Sequence, residues 1–212
     1  MRVERRGRPC PWVTLRAARF VLEGAIRAAA KARAGTEVSA EAGFWLSDCG
    51  CRASAEDKCR SRIDVCLGFV REANSGGGNL RPAKVADALE VLAEADRHHL
   101  VSRPFADKAG QVVGICFCCD CHCAYFRDPA LAGSCAPGRL VAVSDDACDG
   151  CGECVPVCYF GARGEEGALA HPERCAGCGL CAEACLSGAI AMAGREVVEP
   201  AEHDRKPGGG EW

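Results

Sequence analysis

Long apolar runs are what this sequence most conspicuously lacks. Nowhere in its 212 residues do apolar side chains continue for the ~18 positions that a membrane-spanning helix needs. The start, MRVERRGRPCPWVTLRAARFVLEGAIRAAA, is basic, but Arg16, Arg19, Glu23 and Arg27 break any stretch of the kind a secretory leader carries. The Arg5-Arg6 pair has no hydrophobic run behind it either. Aromatic residues are few, at 6%, although apolar residues as a whole reach 49% and allow a globular core. An even number of cysteines is also missing: there are 19. Five of them (Cys116, Cys118, Cys119, Cys121 and Cys123) crowd into eight residues, where neighbours rarely meet disulfide geometry. These absences argue against a membrane span and against a secreted disulfide framework. The expectation is a cytoplasmic protein in a reducing compartment, with its thiols kept for metal.

Charge is uneven. Residues 1–35 carry +7 and residues 139–212 carry −7, within a net charge of −3. For any single charge the plain reading is a solvated surface. The sharper one is an acidic face on the C-terminal part that steers a basic partner protein. Two helices stand out. Residues 11–34 place Leu15, Leu22 and Ile26 on one face near Trp12, with Pro11 in the first turn and Gly35 as a stop. Residues 82–97 place Val85, Leu89 and Leu92 on one face, with Asn79 near the cap and Pro82 in the first turn. The strand-like runs and turn after the second helix resemble a winged-helix fragment. The tail EHDRKPGGGEW is polar, glycine-rich and expected to be disordered.

The strongest signal is a repeat. CDGCGECVPVCYFGAR (Cys148 to Arg163) recurs as CAGCGLCAEACLSGAI (Cys175 to Ile190), each cysteine shifted by 27 positions, with eight of sixteen residues identical. A fixed offset marks a duplicated structural unit. A C-x2-C-x2-C loop can wrap three corners of an iron–sulfur cube. Gly150, Gly152, Gly177 and Gly179 give the backbone room to turn and to aim N–H groups at sulfur. Zinc ribbons also use C-x2-C, but as two pairs rather than as two runs of four. RLVAV reads as a strand, each loop as leading into a short helix after the third cysteine, and hairpins are expected to turn at Gly164–Gly167 and Gly194.

These runs resemble the bacterial two-cluster ferredoxins, in which the fourth cysteine of each run ligates the other cluster. The resemblance implies one [4Fe-4S] cluster on Cys148, Cys151, Cys154 and Cys185, and another on Cys175, Cys178, Cys181 and Cys158. It also implies a small α+β domain with pseudo-two-fold symmetry and a role in low-potential electron transfer. One departure is plain: Tyr159 and Leu186 stand where the family places proline.

The first half carries nine further cysteines, Cys49, Cys51, Cys59 and Cys66, then Cys116, Cys118, Cys119, Cys121 and Cys123. Separated by a helix, they read as two halves of one metal site. CGCRASAEDKCRSRIDVCLGF and ICFCCDCHCAYFR are similar to segments of Cys-rich 4Fe-4S binding proteins of anaerobes, with Phe117 and His122 as departures. Three readings stay open: a third or fourth iron–sulfur cluster, structural zinc, or thiolate buffering of metal. A straight strand through 119–123 would put Cys119, Cys121 and Cys123 on one face and Cys118 and His122 on the other, so one ion could take all five only if the chain turns. Cys10 and Cys135 read as lone thiols, His98 and His99 as a helix end, His171 and His203 as surface, and Trp12, Phe44 and Trp45 as core.

The fold class expected is α+β. A mainly helical Cys-rich domain spans 1–135, a ferredoxin-type domain 136–200, and a tail 201–212. The function expected is an electron carrier with redox partner proteins. The alternatives are an oxidoreductase, or a subunit of one, whose reactive metal site lies in the first half, and a redox- or metal-sensing regulator whose basic arm touches nucleic acid. Nucleic acid is the less favoured partner, given the net acidity, and the repeat supplies no acid, base or nucleophile for bond chemistry.

Overall fold

The computed structural model describes residues 14–33, 43–71, 77–128, 140–164, 167, 169 and 171–195. The expectations for Cys10, Trp12, Cys135, His203 and the tail fall outside these residues, as do residues 1–13 of the basic arm.

The first helix, α1, runs from Leu15 to Arg33. It starts at Thr14, whose hydroxyl accepts the Ala17 N–H at 3.0 Å and satisfies one otherwise unpaired donor of the first turn. Its buried face is Ala18 and Leu22, with Val21, Ala25 and Ile26 partly covered. The second long helix, α3, runs from Val85 to Arg97, three residues later than the sequence pattern suggested. Its buried face is also shifted. Ala88, Val91, Leu92 and Ala95 are covered, whereas Val85 and Leu89 are exposed. Asp87 accepts the Lys84 N–H at 2.7 Å and sets the true start. Asn79 instead donates to Asp48 at 2.6 Å, and Pro82 belongs to a strand.

That strand, β3 (Arg81–Ala83), is one edge of a five-stranded antiparallel sheet. The others are β1 (Phe44–Ser47), β2 (Cys66–Gly68), β4 (Val101–Ala106) and β5 (Val112–Cys118), in the order β3-β1-β2-β5-β4. Both prolines of the sheet, Pro82 and Pro104, sit on its two edge strands, where a missing N–H breaks no interior ladder. The half expected to be mainly helical is therefore organised around a sheet. Strand β5 pairs with β2 as well as β4, so the hairpin after α3 is held inside the sheet rather than standing free as a wing.

The alternation of strand residues divides the two faces. Phe44, Leu46, Leu67, Ile115 and Phe117 point to a core shared with α1 and α3. Cys66, Cys116 and Cys118 occupy the other face. Val101, Cys118 and Cys123 there join a second core with Ala142, Val157, Leu180 and Ile190. The C-terminal residues thus pack on the thiol side of the sheet.

The C-terminal part has β6 (Leu140–Ser144), as expected, paired antiparallel with β7 (Ile190–Gly194). The second run therefore feeds a strand that returns to β6, and the residues past 195 that a hairpin at Gly194 would use lie outside the described residues. In the first-repeat hairpin the described residues include one bridge, Arg163 with Leu169. Three short α-helices, α2 (Gly50–Ala53), α4 (Ala124–Arg127) and α5 (Leu180–Glu183), and a 3-10 turn at Pro172–Arg174 complete the described elements. Only the second cysteine run has its helix, α5, which already contains the third cysteine. Among the described residues no helix is long and apolar enough to cross a membrane.

One buried carboxylate ties the loop before β2 to α3. Glu94 accepts the Ser61 hydroxyl at 2.9 Å and the Arg62 N–H at 3.1 Å, and pairs with Arg97 at 2.9 Å. Burial alone would raise its carboxyl, but these donors and the His98 charge hold it below its ordinary value. A depressed carboxylate contributes stability above its unfolded value near ~4.3 and loses it as pH falls through the folded one. Glu94→Gln is expected to cost about 1–3 kcal/mol in denaturant unfolding at neutral pH, with the gap closing below about pH 4.

Candidate metal centres

Each cysteine loop of the repeat turns through glycines in the left-handed region: Gly150, Gly152, Gly177 and Gly179 have φ of 71°, 77°, 74° and 81°. Two of them also face close neighbours. A Cβ at Gly177 would lie 2.6 Å from the Leu140 carbonyl, and one at Gly179 would lie 2.6 Å from the Thr14 methyl. The second loop is therefore pressed against β6 and against the start of α1, and no larger residue fits there.

Cys158, from the end of the first run, lines one cavity together with Cys175, Cys178 and Cys181 of the second. Arg163 and apolar residues complete its wall. Cys175 and Cys181 are buried, and Cys158 and Cys178 are half-buried. Burial pushes the Cys178 thiol up to about 12 and also raises Cys181. The Cys158 sulfur accepts the Ala162 N–H at 3.2 Å. In the other set Cys148 and Cys151 are exposed and Cys154 is buried. Cys185 is half-buried, with its sulfur 3.5 Å from the Ser187 hydroxyl, which lowers its thiol.

Between the two sets lies a residue to which the sequence pattern gave no role. Arg163 is buried and donates to the Ser144 hydroxyl at 2.7 Å and to the carbonyls of Gly167 and Ala142 at 2.9 and 3.2 Å. It also reaches the Cys181 sulfur at 3.7 Å. Its charge acts on Cys154 of one set and Cys181 of the other. A cation with this coverage is costly to bury unless anionic sulfur stands nearby. The only sequence signal was its place at the end of the quoted repeat, where its counterpart is Ile190.

Tyr159, where the ferredoxin pattern has proline, has a positive role. Its hydroxyl accepts from Arg60 at 2.9 Å and donates to the His99 carbonyl at 2.9 Å, with the Arg60 guanidinium 5.6 Å from its ring. Its ring meets Phe126 edge-on, as does that of Phe160. The residue after Cys158 thus anchors the cysteine loop to the first half of the chain.

The nine cysteines of that first half fall into two neighbourhoods. Strand β5 ends at Cys118, and the chain then turns, with the Cys123 N–H reaching the Cys119 carbonyl at 3.1 Å. The turn breaks the alternation a straight strand would impose. It places Cys119, Cys121 and His122 beside Cys59, with all four donor atoms within 4.8 Å of one another. The Cys59 sulfur is 3.6 Å from both Cys119 and Cys121. His122 Nε2 lies 3.1 Å from the Asp57 carbonyl, while its Nδ1 is buried without a hydrogen-bond partner. A bare buried acceptor of this kind costs about 1–3 kcal/mol.

Of the remaining six, Cys51, Cys66, Cys116, Cys118 and Cys123 lie on the other side of the sheet, whereas Cys49 packs against the first core. Cys66 and Cys116 are opposite each other on β2 and β5, with sulfurs 3.8 Å apart. Cys51 contacts Cys123 and Cys49, whose thiols donate to it and hold its own thiol well below the ordinary range. Cys123 in turn meets Cys118, which with burial keeps its own thiol high. Arg103, opposite Cys116 on β4, lends positive charge to Cys51 and Cys116.

The residues read as background are placed as follows. Phe44 is core, Trp45 stacks under Arg71 at 5.5 Å, His98 caps α3, and His171 is exposed beside Glu173.

Residues 140–162 match the family model described as a 4Fe-4S binding domain. No curated protein and no solved structure matches the chain. The matched segment contains all four cysteines of the first run, and the chain therefore has an iron–sulfur binding region.

Proposed function

We propose that the chain is an electron-transfer protein whose C-terminal domain, 136–200, carries two [4Fe-4S] clusters. One would be held by Cys148, Cys151, Cys154 and Cys185, the other by Cys175, Cys178, Cys181 and Cys158. The observation that supports this most is the shared cavity. Cys158 belongs to the first run by sequence but lines a cavity with three cysteines of the second. Such a group, when bound, takes up and gives back single electrons near ~−400 mV, with wide variation set by its surroundings. The chain supplies the rest. Arg163 offers charge and a donor to sulfur, the Ala162 N–H bonds Cys158, and the glycine turns hold the loops in register. The excess of acid over residues 139–212 suits a basic redox partner.

Five thiols on the other side of the sheet, Cys51, Cys66, Cys116, Cys118 and Cys123, support a further cluster. Cys118 and Cys123 share a buried core with Cys154, Cys175 and Cys181, and Cys51 and Cys116 pack against it. Anaerobic iron and acid-labile sulfide analysis of the full chain, followed by reductive titration, tests both statements. At least eight iron and eight sulfide, about, are expected per chain, with electron uptake at low potential. Clearly more than eight iron would mean a cluster on the thiol side of the sheet. No electron uptake at low potential would end the electron-transfer reading.

A further inference from the structure

The set Cys59, Cys119, Cys121 and His122 of the first half, which packs on the core side of the sheet, is left over by that reading, and it adds an imidazole to its thiols. A single tetrahedral zinc with Zn–S near ~2.3 Å puts its sulfur ligands roughly 3.8 Å from one another. Cys59 is 3.6 Å from Cys119 and 3.6 Å from Cys121. All four donor atoms, the imidazole nitrogen included, fall within 4.8 Å.

The histidine supplies an independent argument. With Nε2 at 3.1 Å from the Asp57 carbonyl, the ring proton belongs on Nε2, and the lone pair is on Nδ1. That Nδ1 is buried and meets no donor among the described residues. A ligand histidine whose second nitrogen donates to a backbone carbonyl is the usual arrangement at zinc, because the carbonyl fixes both tautomer and ring orientation. Close-packed thiols alone would explain the three sulfurs but not the aimed and unpartnered nitrogen.

Charge agrees as well. Three thiolates, one zinc and a neutral imidazole sum to a single negative charge. Arg52 is buried beside them, donating to the carbonyls of Arg62 and Phe117, and its charge acts on Cys119, Cys59 and Cys49. One buried cation thus faces one net anion.

We propose that Cys59, Cys119, Cys121 and His122 Nδ1 bind one structural zinc ion, which fastens the loop after α2 to the turn after β5. Binding releases the three thiol protons to solvent and leaves the imidazole neutral. The clamp lies next to the anchor of the C-terminal part. Arg60 follows Cys59 directly, pairs with Asp120 inside the same turn, and holds the Tyr159 hydroxyl. Zinc here would fix the residue that grips the loop of Cys158.

The test uses the full chain, purified anaerobically from cells supplied with both iron and zinc. Metal analysis is expected to give about one zinc per chain, and zinc K-edge absorption a shell of three sulfurs and one nitrogen. Cys121→Ser and His122→Ala are each expected to lower zinc retention at least tenfold against a competing chelator, with iron and sulfide per chain unchanged. The wild-type absorption spectrum keeps the proposal testable even if both variants fold poorly. No zinc, a zinc shell of four sulfurs, loss of iron in either variant, or a disulfide between Cys59 and a neighbour would each overturn it. None of these results depends on whether the C-terminal cysteines carry electrons, so the two readings fail separately.

Discussion

Cys158→Ala and Cys175→Ala, made singly, should each remove about four iron from the full chain, and the double variant should remove no more than either alone. The logic is that of a double-mutant cycle, in which two changes acting on one unit do not add. Cys158 and Cys175 lie in different sequence runs but line one cavity. If each run instead held its own cluster, the double variant would lose about eight iron. The matching control is Cys148→Ala with Cys158→Ala. Those two share a run, yet belong to different sets under crossed ligation, and should together lose about eight. Iron and sulfide analysis on the four proteins separates the two schemes without any measure of activity.

Arg163→Met should lower the reduction potential by on the order of 100 mV. A hydrogen bond to a charged group is worth about 1.5–3 kcal/mol. For a one-electron couple ~59 mV corresponds to a tenfold change, or about 1.4 kcal/mol, which places the expected shift at roughly 60–130 mV. The sign follows from charge. A buried cation favours the more negative, reduced form, so its removal makes reduction harder. Arg163 touches Cys181 and acts on Cys154, and both sets should therefore shift, the Cys181 set by more. Arg163→Lys keeps the charge but loses the planar fork that reaches Ser144, Ala142 and Gly167 together, and should fall between wild type and Arg163→Met. Protein-film voltammetry reads both. Equal potentials in all three proteins would mean that the guanidinium serves only to hold β6 to its neighbours.

The iron–sulfur binding region was legible in the sequence because its signal is local. C-x2-C-x2-C spacing with intervening glycine is a statement about one loop, and the family match at residues 140–162 falls on it. The two long helices were legible for the same reason, since their periodicity needs no partner. The sheet was not. Strands β1, β2 and β3 are three or four residues long, too short to show alternation, and their identity comes from pairing with segments far along the chain. Pro82 was placed in a helix because proline suits a first turn, but an edge strand tolerates it equally well. His122 looked like an interruption among cysteines while the chain there was read as extended. The turn at 119–123 brings it beside Cys59, some sixty residues away in sequence, and no spacing rule announces such a meeting. Arg163 was silent because a buried arginine leaves no periodic trace.

The repeat began as two copies of one sequence, and such copies would be degenerate if their surroundings matched. They do not. Cys148 and Cys151 stand in solvent, and Leu186 beside Cys185 is 91% exposed. Cys175 and Cys181 lie in a buried core with Cys118 and Cys123 of the other half. Water stabilises added charge at the first pair and is excluded from the second. The fold therefore breaks the symmetry its sequence inherited, giving the molecule a wet pole open to collision and a dry pole sealed against its own thiols.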